Sequence, residues 1–271
     1  LTELVAMGVR LDQLEGVGGT SMGAMFALAV ACGWTPAELV AEVMQQNVKQ
    51  WLSLDLHALW TKYGIVEGDS VRAYFDTVLV GRLGKGPGLT LKQLHALTGK
   101  RLVMIACDLT HNTELVLSHE TTPDLKAADA CFMSMAIPGI FAPFTYNGTL
   151  CCDGGIKNNF PLNHFPPEST IGVRVLWGHA LSLNSVDQVL GRVVYCILSE
   201  SESFHWSRLE CTSRCNTIEV QVGDLSTIEL QLTRAHKHVL INCGRLAVRH
   251  ALVRAPRTRT WLLLTLSLIH I

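Results

Sequence analysis

"VGGTSMGAM", residues 17–25, is the stretch on which the reading of this chain turns. Ser21 stands two residues from glycine on either side, at Gly19 and Gly23, and the apolar run "AMFALAVACGW" follows. This spacing fits a sharp turn from a strand into a helix, where a crowded backbone favours glycine and the serine hydroxyl projects from the bend. "LEGV" upstream reads as the end of a strand. Gly23 to Cys32 is apolar on every face, as in a helix buried on all sides, and Gly33 is placed to end it. Such a helix points its first N–H groups and its positive dipole end at an anion forming beside Ser21. A glycine-rich turn kept only for packing would contain the same five residues, so a nucleophile reading needs a base elsewhere.

"CCDGGIKNNFPL", residues 151–162, offers one in Asp153, at the end of an apolar strand and ahead of Gly154 and Gly155. The two glycines allow backbone to approach closely, although Asp-Gly taken alone is an ordinary turn. Asn158 and Asn159 suit a bracing role through hydrogen bonds from their side chains to the loop backbone. A second arrangement uses His164 as the base, oriented by Asp108, in a Ser-His-Asp triad. Its plain alternative is a loop histidine, one of eleven in the chain.

The remaining residues narrow the function classes. The chain has 271 residues, 48% hydrophobic and 17% charged, with a net charge of -1. That composition excludes a disordered chain and gives no overall attraction for nucleic acid. Nine cysteines show no CxxC pair, and runs such as "VMIAC" and "VVYCIL" suit reduced, buried thiols in a cytosolic protein. A zinc site from Cys211, Cys215 and a histidine is the weaker reading, so no metal or cofactor is implied. No apolar run reaches the ~20 residues needed to span a bilayer. A cytoplasmic protein, in peripheral contact with membranes or lipid droplets, is expected.

Thr35, Pro36 and Glu38 form a capping box at a helix start, and further starts fall at Asp69, at Thr90 with closure by Gly99, and near Ser185. "RLVMIACDL", "TELVLS", "TIGVRVLW" and "CNTIEVQVG" read as buried strands, and "FTYNGTLCC" as a hairpin turning at Asn-Gly. Interleaved helices and strands predict a mainly parallel sheet covered on both faces. One domain is expected over residues 1–252. Residues 253–271, "VRAPRTRTWLLLTLSLIHI", read as a loose tail, with membrane anchoring as the alternative. "WLSLDLHALWTKYGIV", residues 51–66, reads as core packing, with an acyl pocket or a lipid-facing segment as the alternative.

"GTSMGA" and "DGGIKNNFPL", with "ACDLT" and "SMAIPGIFAPF" between them in order, resemble the patatin-like phospholipase family over about residues 1–250. The resemblance implies a three-layer α/β/α sandwich and a Ser-Asp dyad that works without histidine. It makes Ser21 the nucleophile and Asp153 its base, supported by Gly19, Gly23, Gly154 and Gly155, in a lipid acyl hydrolase of phospholipase A or lysophospholipase type. The implied partner is a lipid or other acyl ester, held without a cofactor. The family's first strand and its glycine-rich oxyanion loop would fall before Leu1. The sheet is therefore expected to lack a strand, the Met22 N–H is the substitute oxyanion donor, and ester hydrolysis by the chain as it stands is expected to be poor. A non-catalytic member that binds lipid or a partner, and a histidine-dependent esterase, stay open at this point.

Overall fold

The structure is a computed structural model that describes residues 1–46, 56–176, 186–223, 233–251 and 261–264. Its elements in chain order begin with α1 (Thr2–Ala6), β1 (Gly16–Thr20), α2 (Met22–Ala31), α3 (Pro36–Gln45), α4 (Leu56–Lys62), β2 (Gly64–Val66) and α5 (Asp69–Tyr74). Next come α6 (Leu91–Thr98), β3 (Arg101–Asp108), β4 (Thr113–Leu117), α7 (Ala127–Met135), β5 (Gly139–Phe141), β6 (Phe144–Tyr146), β7 (Thr149–Asp153) and α8 (Gly155–Asn158). The chain continues through β8 (Thr170–Leu176), α9 (Val186–Arg208), α10 (Cys211–Cys215), β9 (Thr217–Gln221), α11 (Arg234–Ala251) and β10 (Trp261–Leu264).

Local chemistry sets several of these boundaries. Thr35 and Glu38 exchange hydrogen bonds at the head of α3, and Thr90 and Gln93 do the same at α6. Gly99 closes α6 in the left-handed conformation at φ +69. The helix expected from Asp69 changes character partway, and Phe75–Val80 continues it as a wider π-helical turn.

An eight-stranded sheet organises the molecule around β3. β4 runs antiparallel along one edge of β3 over residues 104–108. The other edge is shared: parallel β1 pairs with residues 101–105, and antiparallel β7 pairs with residues 106–108. From β1 the order continues through β10 and β8 to β9, all parallel, while β6 lies outside β7. The sheet is thus parallel from β3 through β1, β10 and β8 to β9, and antiparallel where β4 and the β6–β7 hairpin join β3.

The alternation of β3 shows the layers. Leu102, Met104 and Ala106 face one core with α2 and α7, whereas Val103 and Ile105 face a second core with Phe160, Leu162 and Phe165. The result is an α/β/α sandwich with helices over both faces of the sheet.

Two expectations need correction. Residues 261–264, read as part of a loose tail, form a strand between β1 and β8. The run Trp-Leu-Leu-Leu suits a strand flanked on both sides by parallel neighbours, and the sheet position beside β1 is filled by it. Cys196, expected to be buried in "VVYCIL", is exposed on α9, although Cys32, Cys107, Cys131, Cys151 and Cys152 are buried as free thiols.

Candidate active site

β1 is buried at all five residues, and its close packing depends on glycine. A Cβ at Gly18 would come 2.5 Å from the Phe165 ring and 2.9 Å from the Val103 carbonyl oxygen, so a larger residue there would force the ring and β3 to shift. Gly19 sits opposite Met104 of β3, and Gly23 is a buried residue of the first turn of α2. Between strand and helix, Ser21 adopts φ +56 and ψ -128, a conformation that costs a non-glycine residue about 1–3 kcal/mol. Hydrogen bonds on both sides hold the bend. Thr20 Oγ1 donates to the Asn158 carbonyl at 2.9 Å, and the Ser21 N–H donates to Ser134 Oγ at 3.1 Å.

The register of β3 brings the second residue to the first. β1 ends with Thr20 opposite Ile105, and β7, coming from the other direction on the same edge, ends with Asp153 opposite Ala106. The chain leaves both strands at adjacent positions along β3. Ser21 Oγ donates to Asp153 Oδ2 at 2.6 Å. Asp153 Oδ1 accepts the Gly155 N–H at 2.7 Å, so each carboxylate oxygen has a donor. Gly154 passes so close to β3 that a Cβ on it would lie 2.1 Å from the Ile105 carbonyl oxygen.

Ser21 and Asp153 are 2% and 1% exposed. Burial pushes the Asp153 carboxyl up to about 6, partly opposed by the hydrogen bonds from the Ser21 hydroxyl and the Gly155 N–H. A carboxylate of that proton affinity can take a proton from a serine hydroxyl better than an ordinary aspartate can. Met22 begins α2, where the amide has no intrahelical acceptor and the positive end of the helix dipole lies. Its side chain lines an apolar cavity of about 310 Å³, together with Met25, Phe26 and Ala29 along one side of α2. Leu39 and Val43 of α3, Val173 of β8 and Val220 of β9 enclose it further; Ser21 does not line it.

The other sequence candidates lie apart from this pair. His164 Nε2 meets Glu114 Oε1 at 2.6 Å, while Asp108 holds the His111 ring at 2.8 Å. His164 and Asp108 therefore have separate partners, and the Asp153 carboxylate occupies the place at Ser21 Oγ that a triad histidine would need. Cys211 is exposed, and among the described residues no three His, Cys, Asp or Glu side chains gather as metal ligands would. Trp60 and Tyr63, expected in core packing, are 82% and 63% exposed. Trp51, Leu52 and Leu54 of the same stretch lie outside the described residues.

Sequence reasoning missed three contributors. Ser134 binds the elbow amide from α7. The Asn158 and Asn159 amides, expected to bond loop backbone, donate to side chains instead: Glu114 of β4 accepts from Asn158 and meets His164, and Glu202 of α9 accepts from Asn159 at 3.0 Å. Ser134 falls in "SMAIPGIFAPF", whereas Glu114 and Glu202 carry no spacing signal because they reach the loop only through the fold.

Comparison with known proteins agrees with this architecture. A family model described as patatin-like phospholipase matches residues 2–166. The probable lipid hydrolase 463L of Invertebrate iridescent virus 6 is 27% identical over 169 residues, covering 60% of this chain and 57% of that protein. The uncharacterised protein YqhO of Bacillus subtilis is 26% identical over 257 residues, covering 84% of each chain. VipD from Legionella pneumophila shares the fold with a TM-score of 0.68 at 16% identity, over 93% of this chain and 63% of that one. The chain thus spans less than two thirds of the viral hydrolase and of VipD. Among the described residues no helix is long and apolar enough to cross a membrane.

Proposed function

The chain belongs to the patatin-like phospholipase family, and on that premise we propose that it hydrolyses acyl esters of lipids with Ser21 as nucleophile and Asp153 as general base. The 2.6 Å hydrogen bond from the Ser21 hydroxyl to the buried Asp153 carboxylate is the observation that carries this reading. A serine hydroxyl is a weak nucleophile until a neighbouring base accepts its proton.

In the first half-reaction Ser21 Oγ attacks the ester carbonyl carbon while its proton passes to Asp153 Oδ2. The carbonyl oxygen becomes an oxyanion at the N-terminus of α2, where the Met22 N–H donates and the helix dipole favours negative charge. Collapse breaks the ester C–O bond, and protonated Asp153 returns its proton to the leaving alcohol. The acyl group now sits on Ser21. Water then attacks with Asp153 again as base, and the fatty acid leaves as Ser21 regains its proton. One general base suffices because it is deprotonated at the start of each half-reaction.

The apolar cavity beginning at Met22 supports an acyl chain as the group recognised, since such a surface selects by hydrophobic contact. The sequence presents no clustered Arg/Lys set for one head group, so specificity across phospholipids, lysophospholipids and acylglycerols is broad. The working contact with lipid is peripheral. The test is covalent: a fluorophosphonate ester should add one phosphonyl group to Ser21, seen by peptide mass spectrometry, and Ser21→Ala should abolish both adduct and lipid hydrolysis. An adduct on another residue, or hydrolysis that survives Ser21→Ala, would overturn the proposal.

A further inference from the structure

Ser134 lies fully buried in the last turn of α7 and is bonded to both halves of the site. Its hydroxyl oxygen accepts the Ser21 N–H at 3.1 Å, and its carbonyl accepts the Gly154 N–H at 3.3 Å. Ser21 and Asp153 arrive on separate strands, so a residue tied to the loop beyond each strand sets the distance between them. The tie matters most at Ser21. The amide there precedes α2, and the pairing of β1 with β3 stops at Thr20, so neither element provides an acceptor. Without the Ser134 hydroxyl, a buried N–H would be left unsatisfied in a backbone already held at φ +56.

We propose that Ser134 is a positioning residue: through the Ser21 amide it fixes the elbow so that Ser21 Oγ stays within hydrogen-bond reach of Asp153. The role rests on the reading of Ser21 and Asp153 given above, and Ser134 does not touch the ester. Its loss lets the bend relax and moves Oγ off the carboxylate. The acyl contacts along α2 stay in place, so the chemical step suffers and substrate binding does not.

Ser134→Ala and Ser134→Cys test this together, with Ser21→Ala beside them. Alanine removes the acceptor, and cysteine keeps the shape of serine with a slightly larger atom that accepts a hydrogen bond only weakly. Both variants should lower kcat for a soluble short-chain ester by roughly 10- to 100-fold, the scale of a small misplacement of reacting groups, with KM unchanged. Fluorophosphonate labelling of Ser21 should slow in parallel, while thermal unfolding checks that each variant is folded. If Ser134→Ala fails to fold, the better-filled Ser134→Cys carries the measurement. A kcat kept at the original value in the folded variants, or a rise in KM with kcat unchanged, overturns the positioning role while an inactive Ser21→Ala leaves the nucleophile reading standing. Activity retained by Ser21→Ala would overturn that reading and the role of Ser134 with it.

Discussion

Changing the pH should separate Asp153 from an ordinary surface carboxylate. Its carboxyl, buried and lifted from 3.8 to about 6, is harder to ionise inside the fold by about 3 kcal/mol, at 1.36 kcal/mol per pH unit. Two measurements follow from that figure. If Asp153 must be ionised to accept the Ser21 proton, kcat/KM rises with pH to half its plateau near 6, and at pH 5 roughly one tenth of the activity remains. A base with the ordinary aspartate value would keep over roughly nine tenths there.

Stability moves in the opposite direction. Between about pH 4 and 6 the folded chain holds a proton on Asp153 that the unfolded chain has released, so stability falls as pH rises through this window, by about 3 kcal/mol in total. Asp153→Asn stays neutral throughout. It should therefore match the original protein near pH 4 and exceed it above about pH 6, while its ester hydrolysis should be abolished. The assay pairs initial rates on a soluble ester, taken across the acid range, with urea unfolding of both proteins at each pH. A rate that is flat down to about pH 5, or a stability difference between the two proteins that does not change with pH, would refute the argument that burial tunes this carboxyl.

Three further outcomes are expected. His164→Ala should retain most ester hydrolysis while Ser21→Ala and Asp153→Asn abolish it, because His164 is paired with Glu114 and Ser21 with Asp153; equal losses in initial-rate assays would restore the histidine reading. Gly154→Ala places a methyl 2.1 Å from the Ile105 carbonyl oxygen, so β7 must shift from β3, costing about 1–3 kcal/mol by denaturant unfolding along with the Ser21–Asp153 contact and the turnover that depends on it. Ala29→Phe fills part of the apolar cavity and should shift preference towards shorter acyl chains; a chain-length profile identical to the original would show that acyl chains lie elsewhere.

Much of this molecule was legible because its rules are local. Glycine two residues either side of Ser21, and an apolar run after it, are enough to specify a strained bend into a buried helix. The capping box at Thr35, the helix from Thr90 to its closure by Gly99 and the Asn-Gly hairpin before Asp153 act over a few residues, and they formed as read. A resemblance carried by whole motifs extended that reading to the pairing of Ser21 with Asp153.

Tertiary structure decided what depends on distant segments. Ser21 and Asp153 are 132 residues apart, and they meet because two strands entering from opposite ends share one edge of β3 and stop at Ile105 and Ala106. Register of this kind comes from which side chains reach each core, a property of the assembled sheet. The same assembly removes Asp153 from water and raises its proton affinity, gives His164 to Glu114, and inserts the apolar run at 261–264 between β1 and β8. Residue types and their spacing determined which groups could react. Burial and strand register, which exist only once the chain has folded, determined which of them face one another and how strongly one holds a proton.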